Sequence, residues 1–237
     1  HQPVHHGAVR HEDRCLDAVR TDLHRPLPGG GSTLYFDYAR YAYFDIHILG
    51  REGAEADYSP EVLHRVEALE PLMQAGGREE LIYTIITRTQ GFINGPLAVG
   101  NESPVVKFKA LMRPYAGMDK AALRANLKYF LERIKPVCDK YDINMAIHPD
   151  DPAWSVFGLP RIVTSEKALE TIASLNPSIY NGFTLCTGSL GSNRENNLPQ
   201  IIRNPKIAPR IHFAHLRNIK FETPEMFHES SHLSSDG

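Results

Sequence analysis

Three short apolar runs in this chain each end in a residue that can bind a metal, and their recurrence constrains the fold more than any other feature. His148 closes Ile143-Asn-Met-Ala-Ile-His148, Cys186 closes Gly182-Phe-Thr-Leu-Cys186, and His215 closes Arg210-Ile-His-Phe-Ala-His215. Runs of this length and composition read as β-strands. Between the first two lies a helix pattern capped by Ser165, with Ala168, Leu169 and Ile172 inward. Between the second and third lies a short helix around Leu198 to Ile202. A β-α-β-α-β order with right-handed crossovers gives a parallel sheet, either open or closed into a barrel. Parallel α/β enzymes build their sites at strand carboxyl ends. Two imidazoles and a thiol at that level therefore predict one divalent cation at the mouth of a barrel.

Alternation within the strands assigns their faces. His148 falls with Ala146 and Asn144, and Cys186 with Thr184 and Gly182, whereas Ile143, Met145, Ile147, Phe183 and Leu185 take the other face. Small and polar residues suit the narrow inside of a barrel and large apolar ones suit the helix layer, so both ligands are directed inward. His215 shares a face with Ile211 and Phe213, a poorer match to that pattern. The competing reading is a set of hydrogen-bonded structural histidines and a cysteine behaving as a small hydrophobe. Recurrence at one structural level weighs against it.

Upstream, the first twenty residues form an irregular segment: His1, His5, His6 and His11 mix with Arg and Asp, and no apolar period appears up to Asp22. The catalytic domain is expected over 21–237. Leu27-Pro-Gly-Gly-Gly-Ser32 lacks the spacing and the Lys-Ser/Thr of a phosphate cradle and reads as a connecting loop. The aromatic run from Tyr35 to Leu49 is expected to pack against the barrel wall, with His47 structural. Ser59 caps a helix with Pro60 at its first position, and Gly76-Gly77 ends it. Arg78 to Gln90 reads as a shorter helix, and Gly91 to Pro104 as a loop. Asp119 caps a long amphipathic helix with Leu123, Leu127, Phe130, Leu131, Ile134 and Cys138 on one stripe; Pro136 is a possible kink.

After the first ligand, His148-Pro-Asp-Asp-Pro-Ala-Trp154 sets two carboxylates beside the predicted metal. Asp150 and Asp151 could orient the ligand histidine, activate water or contact a polyol; they are equally at home as turn-forming residues. Arg161, Arg217 and His228 complete a polar set suited to a carboxylate-bearing substrate.

Composition narrows the partners. The 237 residues carry a formal net charge of -2, so there is no clustered excess of Lys and Arg to argue for nucleic acid. No apolar run reaches a membrane-spanning length. Three cysteines without framework spacing, Cys15, Cys138 and Cys186, point to a reducing compartment, and the cytoplasm is expected.

Ordered motifs then carry a family resemblance. Gly53-Ala-Glu-Ala-Asp-Tyr58, His148-Pro-Asp-Asp-Pro152, Gly158-Leu-Pro-Arg-Ile-Val163, Asn181-Gly-Phe-Thr-Leu-Cys-Thr-Gly-Ser189, Arg210-Ile-His-Phe-Ala-His-Leu-Arg217 and Phe227-His-Glu-Ser-Ser-His-Leu233 resemble mannonate dehydratase, in order from about Arg20 to Gly237. The resemblance implies a TIM-type β/α barrel of xylose-isomerase-like kind. It implies removal of water from D-mannonate to give 2-dehydro-3-deoxy-D-gluconate in hexuronate catabolism. Mn(II) or Fe(II) is the implied cofactor, with the family's His-Cys-His metal set falling on His148, Cys186 and His215. Catalytic roles are expected among Asp150, Asp151 and His228, and substrate contacts at Arg161 and Arg217. The partner is a small sugar acid; a homo-oligomer is compatible.

Members of that family are longer, with further βα units before and after the matched part. An aspartate that completes the metal site and a tyrosine for acid/base work belong to the later units. A partial chain is therefore expected, with an incomplete barrel that exposes sheet edges. Two other readings stay open: a metal-dependent sugar isomerase on the same architecture, and a non-catalytic remnant that keeps the motifs.

Overall fold

The computed structural model describes residues 24–26, 30–88 and 102–233. The His1-to-Asp22 segment, Cys15 and most of the stretch read as a loop before Pro104 lie outside them.

Two sheets organise the chain. Strands β1 (His24–Pro26) and β2 (Ser32–Asp37) belong to an antiparallel sheet, and β3 (Met145–Ile147), β4 (Asn181–Cys186) and β5 (Ile211–His215) form a parallel one in that order. A hairpin of β6 (Asn218–Thr223) and β7 (Met226–Ser230) joins the first sheet, whose order is β1-β2-β7-β6. The predicted alternation is present as parallel β3-β4 and β4-β5 pairs. Of the incomplete barrel that was expected, the described residues show a mixed α/β fold with no closed barrel, and the parallel sheet is three strands wide with β3 and β5 at its edges. Three parallel strands cannot close a cylinder, which needs about eight at barrel tilt.

Helices form where caps and apolar stripes coincide. Helix α1 (Tyr38–Tyr43) follows β2 directly, its first turn capped by the Asp37 carboxylate, and runs on as a wider turn over Phe44–Leu49. Helix α2 (Pro60–Leu72) begins with the predicted Ser59 cap, whose oxygen accepts from Val62 N–H at 3.3 Å. Gly76 breaks it, at φ 106°, where glycine alone is unstrained, and α3 (Arg78–Tyr83) follows. Helix α4 (Pro104–Met112) leads to α5 (Lys120–Tyr141), capped by Asp119 and running through Pro136. Helices α6 (Glu166–Leu175), α7 (Thr187–Ser192) and α8 (Leu198–Arg203) complete the set.

Two cores result. One gathers Phe36, Tyr41, Tyr43 and Phe44 with α2, α3, Phe108, Phe157 and Phe227, so the aromatic run packs against the antiparallel sheet and its own helices. His47 is exposed, its ring tilted on Tyr43. The other gathers Phe183 and Leu185 with Leu169, Ile172, Ile201 and Ile207, as the face assignment required. The loop after β3 joins them, sending Val156 and Phe157 into the first core and Ile162 and Val163 into the second.

A candidate metal centre at the ends of the parallel strands

Parallel register sets the three candidate ligands at one level. Cys186 pairs with His215 as the last residues of β4 and β5, and His148 immediately follows β3. A bulge between Phe183 and Thr184 accounts for the poor face match of β5: Ile211 pairs with Phe183 and packs on the helix-side core, while Phe213 pairs with Thr184. The extra residue moves Phe213 and His215 to the Thr184 and Cys186 face.

One donor atom from each of His148, Cys186 and His215 lies within 4.8 Å of the others. His148 Nε2 is 3.3 Å from His215 Nδ1, and Cys186 Sγ is 3.4 Å from the same nitrogen. Metal–nitrogen bonds of about 2.0–2.1 Å and a metal–sulfur bond of about 2.3 Å, at tetrahedral angles, put donors roughly 3.3–3.6 Å apart. The His148–His215 and Cys186–His215 separations match those values and the third pair lies within 4.8 Å, so the three side chains are placed where they could share a cation. His148 Nδ1 lies 2.7 Å from the Pro149 carbonyl, to which it can only donate, and this leaves Nε2 as the lone-pair nitrogen on the metal side. Among the described residues no other group of three such donors converges.

The thiol is fully buried and sits at the start of α7, where the Ser189 N–H and hydroxyl approach it at 3.5 and 3.1 Å. Arg217 reaches over from the turn after β5. Its Nη1 lies 3.9 Å from the sulfur and 3.3 Å from Ser189 Oγ, and the same nitrogen pairs with Asp151. Its other edge pairs with Glu229. Burial works against the Arg217 charge, but the hydrogen bonds it donates to Glu229 and Asp151 outweigh it and hold the pKa above the usual arginine value. Gly188 makes room: a Cβ there would press on the Arg217 side chain.

The remaining predicted residues divide. Asp151 is exposed and joins the centre through Arg217. Asp150 turns one carboxylate oxygen onto the N–H groups of Ile162 and Val163, at 2.9 and 2.8 Å. Arg161 donates to the Pro152 carbonyl at 2.6 Å, and among the described residues it forms no ion pair. Burial lowers its pKa, with Asp150 and Asp151 pulling the other way. His228 stacks on Tyr35 and faces Glu222. Strand alternation puts it on the side of β7 opposite Glu229, and Glu229 is the residue that meets Arg217.

Ser189 and Glu229 are the contributors that reading the sequence missed. Ser189 follows Cys186 by three residues, the spacing of a cap and its partner, which is a usable signal. Glu229 carried none, since its contact depends on the β6–β7 hairpin.

Fold and site together define a mixed α/β protein with a His-Cys-His cluster that could hold a metal ion at the carboxyl ends of parallel strands. Comparison with known proteins agrees: a family model for D-mannonate dehydratase (UxuA) matches residues 14–237. Mannonate dehydratase from Thermotoga neapolitana is 38% identical over 222 residues, covering 94% of this chain and 52% of the relative. That from Chromohalobacter salexigens is 40% identical, covering 93% and 54%. A crystal structure of mannonate dehydratase from Streptococcus suis serotype2 superposes with a TM-score of 0.57 at 29% identity, covering 93% of this chain and 47% of that one. The chain belongs to the D-mannonate dehydratase family, and it spans about half the length of the curated relatives it matches.

Proposed function

We propose that His148, Cys186 and His215 hold one divalent cation, Mn(II) or Fe(II), and that this centre serves the dehydration of D-mannonate to 2-dehydro-3-deoxy-D-gluconate. The supporting observation is the convergence of the three donors within 4.8 Å, two of their separations being those a shared cation imposes. When bound, the cation supplies Lewis acidity to a sugar-acid carboxylate and so eases removal of the C2 proton.

The chain's own residues prepare that chemistry. The Pro149 carbonyl fixes the His148 ring, and Ser189 and Arg217 fix the sulfur. Arg161 keeps N–H donors beyond the one on Pro152 and, half-buried beside two aspartates, suits a substrate carboxylate better than Arg217, whose edges already face Asp151 and Glu229. Asp151 is the exposed carboxylate beside the centre and is assigned proton transfer. Asp150 is assigned to bracing the loop. His228 is left out of the chemistry because its ring belongs to the row with Tyr35 and Glu222.

The test is metal analysis of the purified full chain beside a 2-keto acid assay on D-mannonate, with Cys186→Ala in parallel. The reading requires one equivalent of metal in the parent and its loss, with any turnover, in the variant. Equal metal content in both would refute it.

A further inference from the structure

We infer that Ser189 is a positioning residue for the metal centre, one that donates a hydrogen bond to the Cys186 sulfur and thereby sets the strength and electronic character of the metal–sulfur bond. The inference rests on the metal-site reading above and deepens it.

Ser189 is fully buried, and among the described residues its hydroxyl lies between two groups: Cys186 Sγ at 3.1 Å and Arg217 Nη1 at 3.3 Å. A guanidinium N–H can donate but not accept. Toward Arg217, then, the hydroxyl oxygen must be the acceptor, and the single hydroxyl proton is left for the sulfur. The direction of the bond follows from what each group can do. The position is held from both sides. Ser189 N–H also approaches the sulfur, and the Ser189 carbonyl accepts from Ser192 Oγ at 2.7 Å. That same Ser192 oxygen accepts from Ala153 N–H at 2.8 Å, which ties α7 to the loop following His148. Arg217 is itself oriented by Asp151 and Glu229, so the guanidinium donates to two carboxylates and to the Ser189 hydroxyl, and the hydroxyl in turn to the sulfur.

A hydrogen bond to a metal-bound sulfur withdraws electron density from it and fixes its direction, and outer groups of this kind are worth about 10- to 100-fold in metal affinity. They also alter which metals a thiolate-bearing site prefers, because softness resides in the sulfur.

The experiment is Co(II) titration of the full chain, reading the sulfur-to-cobalt charge-transfer absorption, together with chelator competition for affinity. The parent, Ser189→Ala, Ser189→Thr and Cys186→Ala are compared, and thermal melts show whether each variant is folded. The inference expects a charge-transfer band in the parent, a shift of that band to lower energy with about 10- to 100-fold weaker binding in Ser189→Ala, and recovery of the band energy in Ser189→Thr. An alanine variant with the parent's band energy and affinity overturns the inference. So does a folded threonine variant that behaves as alanine does, since the hydroxyl would then be irrelevant. A parent without the band, or with one that persists in Cys186→Ala, overturns the underlying metal-site reading instead.

Discussion

Asp150 directs one carboxylate oxygen at two backbone N–H groups, those of Ile162 and Val163, while its own N–H bonds to the Val163 carbonyl. Twelve residues of loop are thereby closed beside the candidate metal centre. Hydrogen bonds to a charged group contribute about 1.5–3 kcal/mol. Asp150→Ala should lower unfolding free energy by about that amount in denaturant titration while leaving metal stoichiometry at the parent value. An unchanged midpoint would show that the carboxylate has another purpose. At this scale the sequence was readable where residue type and local period coincide: His148, Cys186 and His215 each stand at the end of a recognisable strand. It was not readable for Glu229, whose value lies in meeting Arg217 through a hairpin. The paired aspartates of one motif also took unlike roles, because only Asp150 faces the backbone of the returning chain.

Elements carried the caps faithfully. Ser59, Asp119 and Ser165 each accept the N–H three residues on, a local interaction that sequence spacing expresses directly. The β4–β5 bulge was not expressed, since it depends on how two separated strands pack. Gly182 is part of that packing: a side chain there would collide with the His212 ring and the Arg210 carbonyl, and the ring is held in place by the Ile179 carbonyl at 2.8 Å. One of the two obstacles is backbone, so the strands themselves must shift. Gly182→Ala is expected to destabilise the chain by about 1–3 kcal/mol. Since Cys186 and His215 end those two strands, it should weaken metal binding as well. Wild-type affinity in a measurably destabilised Gly182→Ala protein would mean that the strand ends are held independently of the strand bodies.

Over the whole molecule, the loop that follows the first ligand is what joins the aromatic core to the helix-sheet core. Phe157 is central to that link. It adopts φ 54°, a left-handed backbone unusual for a bulky residue, while its ring contacts Tyr41, Phe44 and Phe108. Phe157→Ala should cost about 3–5 kcal/mol in unfolding free energy, and calorimetry showing less than 1 kcal/mol, on the order of a surface change, would contradict its bridging role. The incomplete barrel expected from the sequence appears at this scale only as a mixed α/β fold with a short parallel sheet among the described residues. Strand alternation reports which neighbours a strand faces, and β3-β4-β5 paired as read, but closure depends on strand count. Among the described residues neither edge of the three-stranded sheet carries a further strand, and Phe213 at the β5 edge is 58% exposed. The two antiparallel strands of the hairpin went unread although Ile219, Phe221 and Phe227 alternate with polar neighbours, the pattern that half-buried strands show.

X-ray absorption fine structure of the metal-loaded chain addresses the shared cation directly. The account predicts one sulfur scatterer at about 2.3 Å and nitrogen or oxygen scatterers at about 2.0–2.2 Å, with imidazole multiple scattering. A first shell of oxygen alone, without sulfur, would contradict it.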